Sequence, residues 1–293
     1  MHTSVLLEPV LQAFREKNIR FFIDGTIGAA GHTLAIIKEH PEIELILAFD
    51  QDPIACEIAR KNLSDVICES KFRIINRNFK DIGAVLQEQR LTNPDGILLD
   101  IGVSSMQLDT EDRGFSFRGE GPLDMRMDPQ NPLTAENVVN TFTEKKLADI
   151  LLEFGEEWQN KKIARAICER RRKKSIETTK ELQEIVSSVV PRRGKIHPAT
   201  KTFQALRIYV NDELGVLQLG IENAAKALNK AGRLAIISFH SLEDRIVKHG
   251  FRSLSQEGFS LITKKPISAD RAESRINPRA RSAKLRVIEK EKS

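Results

Sequence analysis

At 293 residues, with 40% hydrophobic and 30% charged side chains, the chain reads as a soluble globular protein too long for one comfortable core. Two domains, or one domain carrying an insertion, are expected. The formal charge of +5 is mildly basic, no apolar run approaches a membrane span, and the start "MHTSVLLEPVLQAFREK" is too short and acidic for a signal peptide. Cys56, Cys68 and Cys168 lie far apart without paired spacing, which argues against a disulfide framework or a zinc site. A reducing cytoplasm suits this pattern, and no bound metal or membrane partner is expected.

The first hundred residues alternate regularly. Apolar, β-rich runs at 19–24 (IRFFID), 44–50 (ELILAFD), 72–76 (FRIIN) and 96–102 (GILLDIG) read as strands buried on both faces. Helical segments at 31–39, 53–63 and 81–90 separate them, the second with Pro53 in its first turn and Asp52 as its cap. A βαβαβαβ run implies a parallel sheet with right-handed crossovers.

After Asp100 the rhythm breaks, and no buried strand returns until 232–239 (GRLAIISF). The intervening stretch is loop-rich to Thr134 and then helical, through "EKKLADILLEFG", "NKKIARAICERRRKK" and "TKELQEIVSSVV", which stops at Pro191. One long amphipathic helix is expected from Thr200, closed by Gly232. Runs at 259–265 and 283–290 suggest a terminal edge hairpin. The expectation is an α/β protein with seven strands, five of them parallel. Residues 1–104 and 201–293 form the main domain, and 105–200 an inserted helical domain.

The segment "FFIDGTIGAAGHT" (21–33) carries the first chemistry, with Gly25, Gly28 and Gly31 spaced by three after Asp24. A dinucleotide loop needs the spacing G-x-G-x-x-G, and a carboxylate at the strand end would repel a pyrophosphate. A cofactor that is itself cationic, such as S-adenosylmethionine, welcomes that carboxylate. Asp50 ends the second strand where an acid holds the ribose of adenosine-type cofactors, a feature shared with NAD enzymes. Asp100 ends the fourth strand at the topological switch point. Three aspartates around one crevice suit a cation better than a phosphate.

Positive charge is concentrated in three places. Residues 161–174 hold eight basic side chains against Glu169 alone, 191–201 hold four and no acid, and 264–293 hold ten with four acids. One such run is as easily a solvated helix face, but three favour nucleic acid.

Long stretches resemble the MraW-type S-adenosylmethionine-dependent methyltransferases: "HTSVLLEPV" (2–10), "DGTIGAAGHT" (24–33), "FDQDP" (49–53), "GILLDIGVSSMQLD" (96–109), "RGFSFRGEGPLDMRMD" (113–128), "HPATKTFQALRIYVNDEL" (197–214), "ISFHSLEDRIVK" (237–248) and "NPRARSAKLRV" (277–287). The resemblance spans the chain. It implies a class I, Rossmann-like methyltransferase that modifies the N4 amine of a cytidine in 16S rRNA of the small ribosomal subunit. It also implies cofactor contacts at Ala30, Gly31, His32, Asp50, Phe79, Asp100 and Gln107, beside Asp24 and Gly25 from the loop itself. Ala29 and Ala30 depart from the family, whose loop usually carries glycine or another residue there.

Asp100 is the candidate to orient the amine, in competition with a cofactor role, and no residue is a convincing general base. In "RGFSFR", Arg113 and Arg118 interleave with Phe115 and Phe117, which suits stacking on an unpaired base and equally suits anchors of the insertion. Lys201 is a candidate phosphate contact. His240 and Ser241, at the end of the fifth strand, are candidate substrate contacts, although Ser241 with Asp244 also reads as a helix cap. A nicotinamide-dependent dehydrogenase and a non-catalytic rRNA-binding assembly factor are the competing readings, and a homodimer is left open.

Overall fold

The structure, a computed structural model, describes residues 4–192 and 197–292, with Ser105 described by its backbone alone. Among the described residues eight strands form one sheet: β1 Phe21–Asp24, β2 Leu45–Phe49, β3 Phe72–Ile75, β4 Gly96–Asp100, β5 Arg233–Ser238, β6 Phe259–Leu261, β7 Ile267–Ser268 and β8 Lys284–Lys290. Their order is β3-β2-β1-β4-β5-β8-β6, with β7 also paired to β8. β1 to β5 run parallel, and β8 is antiparallel to β5, β6 and β7.

The chain divides into two compact units, residues 1–102 with 214–293, and residues 103–213. In the first, successive strand residues point to opposite faces, and both faces are apolar. Phe21, Ile23, Leu47, Phe49, Ile97, Leu99, Leu234 and Ile236 share one core with Val85, Leu217, Val247 and Phe251 from helices Ile82–Glu88, Glu213–Ala227 and Ser241–Leu254. The alternate residues Phe22, Ile46, Ala48, Leu98, Ala235 and Ile237 share another with Val10, Phe14, Ile36 and Leu63 from helices Leu7–Phe14, Gly31–Glu39 and Pro53–Ser64. This burial on both faces is why the strands read as unbroken apolar runs. The result is a Rossmann-like α/β arrangement, a mostly parallel sheet with helices on both faces.

Four details correct the sequence reading. The sheet has eight strands rather than seven, since the two-residue β7 is too short to leave a periodic signal. The terminal strands are no simple edge hairpin. β8 lies inside, between β5 and the pair β6 and β7, because its Leu285, Val287 and Ile288 are buried. The single helix expected from Thr200 is two, Thr200–Asn211 and Glu213–Ala227, broken at Asp212 in the left-handed region (φ 47°). Gly232 does not take the left-handed turn; Ala231 does (φ 61°), while a side chain on Gly232 would press on the carbonyls of Asn229 and Asp95.

The second unit packs helices Ala135–Thr141, Glu144–Gly155, Asn160–Arg171, Thr179–Val189 and Thr200–Asn211 around Leu147, Ile150, Ile163, Ile167, Leu182, Phe203 and Leu206. Its C-terminal boundary therefore lies at 213/214 rather than at 200/201: Phe203, Ala205, Leu206 and Val210 belong to this core. Part of the basic run 191–201, Arg193 to Ile196, lies outside the described residues.

Candidate active site

The sheet order sets β1 between β2 and β4, so the strands ending in Asp24, Asp50 and Asp100 are neighbours at one edge. The switch point of the sheet falls between β1 and β4. Asp24 is 2% exposed, and its two oxygens are already engaged. Oδ2 accepts from the Thr33 hydroxyl (2.6 Å) and Oδ1 from the Thr26 backbone N–H (3.0 Å). Burial pushes its pKa up, and the two donors oppose that. Asp24 thus braces the loop against the helix Gly31–Glu39.

Asp100 is placed differently. Its backbone N–H donates to the Thr26 hydroxyl oxygen (2.7 Å), which ties the end of β4 to the glycine loop. Its Oδ1 is buried with no hydrogen-bond partner. Oδ2 stands 3.5 Å from His32 Nε2, and neither ring nitrogen of His32 has a hydrogen-bond partner. His32 is 6% exposed at the start of its helix. Leaving a buried polar atom unsatisfied costs about 1–3 kcal/mol, so three together mark a place built for a ligand.

Asp50 holds the other side of the loop. Oδ2 accepts from the Gly28 N–H (3.0 Å) and Oδ1 from the Asp52 N–H (2.9 Å). Burial is the largest influence on its carboxyl and raises it to about 6, against those two hydrogen bonds. Each carboxylate oxygen keeps a further acceptor position, enough for a pair of sugar hydroxyls. Asp52 caps the helix Pro53–Ser64 through Ile54 N–H (3.1 Å), as its position before Pro53 implies.

The loop owes its close fit to small residues. A side chain on Gly25 would overlap Leu99 and come within 3.0 Å of Phe79 Cβ, and one on Gly31 would overlap the Ser4 hydroxyl. Gly28 takes a left-handed conformation (φ 50°), which glycine adopts at no steric cost. Ala30 takes one too (φ 66°) while fully buried, and for an L-residue that costs about 1–2 kcal/mol. Phe79 is 7% exposed, part of the core, with its ring against Gly220 of the helix Glu213–Ala227. The ring is foremost a packing element beneath the loop.

At the end of β5, His240 rather than Ser241 caps the following helix. Its Nδ1 accepts from the Glu243 N–H (3.4 Å), and Glu243 Oε2 accepts from the N–H groups of Phe239 (2.7 Å) and His240 (3.3 Å). Asp244, the expected partner of Ser241, instead binds Lys284 (2.9 Å) and Arg286 (2.7 Å) of β8. Ser241 is exposed.

In the second unit most of the proposed substrate residues have structural work. Arg113 donates to the carbonyls of Arg126 (3.0 Å) and Met127 (3.2 Å) and lies over the Phe115 ring at 5.9 Å. Phe115 is buried in the core. Phe117 stacks on His197 (4.7 Å) and meets Phe203 edge-on (5.3 Å). Only Arg118 of that set is exposed. Lys201 Nζ donates to the Glu156 carbonyl (2.8 Å), closing the helix Glu144–Gly155, so that ammonium is a helix cap before it is a phosphate contact. Gln107 completes a capping box with Ser104, its Oε1 accepting the Ser104 N–H (3.0 Å). Of the run 161–174, Arg165, Arg170 and Lys174 pair with glutamates and Arg171 binds two carbonyls, while Lys161, Lys162, Arg172 and Lys173 face solvent.

Thr26, Thr33 and Glu243 are organising residues that the sequence reading passed over. Nothing in their spacing marks them, because their partners come from other strands or from a cap that looks complete without them.

A model of the MraW methylase family matches residues 1–291 of the chain. The protein is similar to ribosomal RNA small subunit methyltransferase H of Neorickettsia sennetsu, 50% identical over 291 residues, 99% of this chain and 96% of that one. The protein of the same name from Persephonella marina is 47% identical over 293 residues, covering 99% of each chain, and that from Geobacter sp. (strain M21) is 45% identical over 309 residues, covering 99% of this chain and 98% of the other. With a family match across nearly its whole length and identities of this size, the chain belongs to the MraW methylase family.

Proposed function

We propose that the protein uses S-adenosylmethionine to methylate the N4 amine of a cytidine in the 16S rRNA of the small ribosomal subunit. The observation that carries this is the group of buried polar atoms without partners, Asp100 Oδ1 and both nitrogens of His32, beside a loop tied to three strand-end aspartates. The names of the relatives supply the substrate class, small-subunit ribosomal RNA.

The residues present suit the cofactor. Asp50 would hold the ribose hydroxyls. Asp100 and His32 would meet polar groups of the methionine portion. When bound, the cofactor supplies an electrophilic methyl group on a cationic sulfur. No phosphate has to approach the acidic edge of the sheet.

The chain's own contribution is then positioning. The exocyclic amine of cytosine is a weak nucleophile because its lone pair is delocalised into the ring. Holding it in line is worth most of the acceleration. Asp100 Oδ1, without a hydrogen-bond partner and fixed through its own N–H by Thr26, accepts a hydrogen bond from one N–H of the amine and so orients the nitrogen's single lone pair. Lys161, Lys162, Arg172 and Lys173 give the second unit an exposed cationic surface toward an RNA backbone.

The test is methyl transfer from labelled S-adenosylmethionine to small subunits, followed by mass spectrometry of the rRNA nucleosides. The reading requires one N4-methylated cytidine, lost with Asp100→Ala. Tight NADH binding without a response to S-adenosylhomocysteine would turn the assignment toward a dehydrogenase. Binding of rRNA without methyl transfer would leave an assembly factor.

A further inference from the structure

Between β7 and β8, the segment around the helix Arg271–Ile276 borders an open, shallow cleft of about 320 Å³ lined by Ala269, Asp270, Arg271, Ser274, Arg275 and Arg281. None of these residues belongs to the candidate active site. The segment is firmly attached. Glu273 accepts the Leu6 N–H (2.6 Å), and Ala280 and Ala283 are buried in the core.

Three guanidinium groups share this cleft with one acid. Asp270 is occupied as the helix cap, its Oδ1 accepting the Glu273 N–H (2.7 Å). Arg281 donates through Nε to the Ser274 carbonyl (3.1 Å), which leaves its terminal nitrogens available. Arg271 and Arg275 are exposed and carry no ion pair among the described residues. Some other arginines of this unit are paired: Arg15 with Glu39 (2.9 Å), Arg77 with Glu88 (2.9 Å), Arg233 with Glu289 (2.8 Å) and Arg286 with Asp244 (2.7 Å). Like charges gathered at one cleft repel unless an anion joins them, and guanidinium forks match phosphate oxygens two at a time.

We propose that this cleft is a phosphodiester site, with Arg271, Arg275 and Arg281 gripping the backbone of the RNA substrate away from the reacting base. The proposal rests on the rRNA reading above. It makes part of the substrate affinity a property of the sheet-containing unit.

The experiment compares wild-type protein with the triple variant Arg271→Gln, Arg275→Gln, Arg281→Gln in binding to a single-stranded small-subunit rRNA fragment across 50–200 mM salt. Three lost phosphate contacts lower the slope of log Kd against log salt by about 2, at roughly 0.7 per contact on a single strand. The variant should therefore lose about 16-fold less affinity than wild type over that fourfold salt range, starting from weaker binding at 50 mM. S-adenosylhomocysteine affinity and the circular dichroism melt should not move. Inorganic phosphate should compete with the fragment on wild-type protein and not on the variant. A control variant with the same charge change elsewhere, Arg15→Gln, Arg73→Gln, Arg77→Gln, should keep the wild-type slope.

An unchanged slope in the triple variant, or an equal loss in the control, overturns the proposal. Wild-type affinity for naked RNA with weakened binding to assembled subunits also overturns it, pointing to an acidic ribosomal protein. If the triple variant does not fold, Arg271→Gln and Arg275→Gln singly, both exposed and unpaired, should each lower the slope by about 0.7. Methyl transfer by the wild type separates the two readings: with transfer and no slope change only the cleft assignment fails, and without transfer the rRNA reading fails.

Discussion

Gly220→Ala tests how the glycine loop is supported from below. Alanine in the middle of the helix Glu213–Ala227 would by propensity stabilise it by about 1 kcal/mol. The new methyl, however, would stand 2.5 Å from Phe79 Cδ2, more than 1 Å inside an ordinary carbon–carbon contact of about 3.5–4 Å. Phe79 is 7% exposed and lies beside Gly25, so the ring cannot swing aside without disturbing the loop. Overpacking of this kind costs about 1–3 kcal/mol, which leaves a net loss of about 1 kcal/mol. Phe79→Ala alone should cost about 3–5 kcal/mol. In that background the overlap is gone, and Gly220→Ala should stabilise by about 1 kcal/mol. The double-mutant cycle therefore carries a coupling of about 2 kcal/mol, read from urea midpoints by far-ultraviolet circular dichroism at matched slopes. If Gly220→Ala has the same effect with and without the phenyl ring, the ring does not rest on that helix and the packing argument is refuted.

Three further outcomes follow from the electrostatics and the loop. The Asp50 carboxyl is raised to about 6 in the folded chain, above its unfolded value near 3.9, so the ligand-free protein should lose stability as pH rises from about 4 to 6, by at most about 3 kcal/mol. Asp50→Asn should flatten that segment of a urea-stability profile, while cofactor affinity in the wild type should strengthen through pH 6 as the carboxylate ionises. Glu181 behaves in the opposite sense. The Glu177 N–H first, then Lys174, hold it down at about 2, so its contribution is complete above pH 4.5 and disappears as pH falls toward 2. Discounted for the exposed Lys174, this amounts to about 2 kcal/mol, and Glu181→Gln should reduce the acid sensitivity of unfolding. Thr26→Val removes the acceptor of the Asp100 N–H and should cost about 1–3 kcal/mol together with cofactor affinity in calorimetric titration; Thr26→Ser should restore both.

Much of the sheet was legible in the chain because its cause is local. Strands β1, β2, β4 and β5 are buried on both faces, so each is a short apolar run, and Asp24, Asp50 and Asp100 stand out because charge follows each of three such runs. β3, at the end of the sheet, departs from the expectation, with Arg73 exposed and only Phe72 buried. The long helix was misread for a reason that is also local: Asn211 and Asp212 are the residue types that tolerate a left-handed turn, but the apolar period continues across them. The candidate substrate residues, and Gln107 as a cofactor contact, were harder. Arg113, Lys201 and Gln107 carry groups that could equally bind a ligand or close a backbone carbonyl or amide, and residue type alone does not distinguish these uses.

The sequence by itself determined the alternation of strands and helices, the acidic strand ends and the glycine loop, since each depends on neighbours within a few residues. Tertiary structure alone decided that β8 lies inside the sheet, that Asp24 is saturated while Asp100 and His32 keep buried atoms unpartnered, and that three arginines of the tail share one cleft. The reason is physical: whether a polar atom is satisfied or a charge is paired depends on groups brought close by folding, often from distant parts of the chain, as with Thr26 and Asp100, and no periodicity records that.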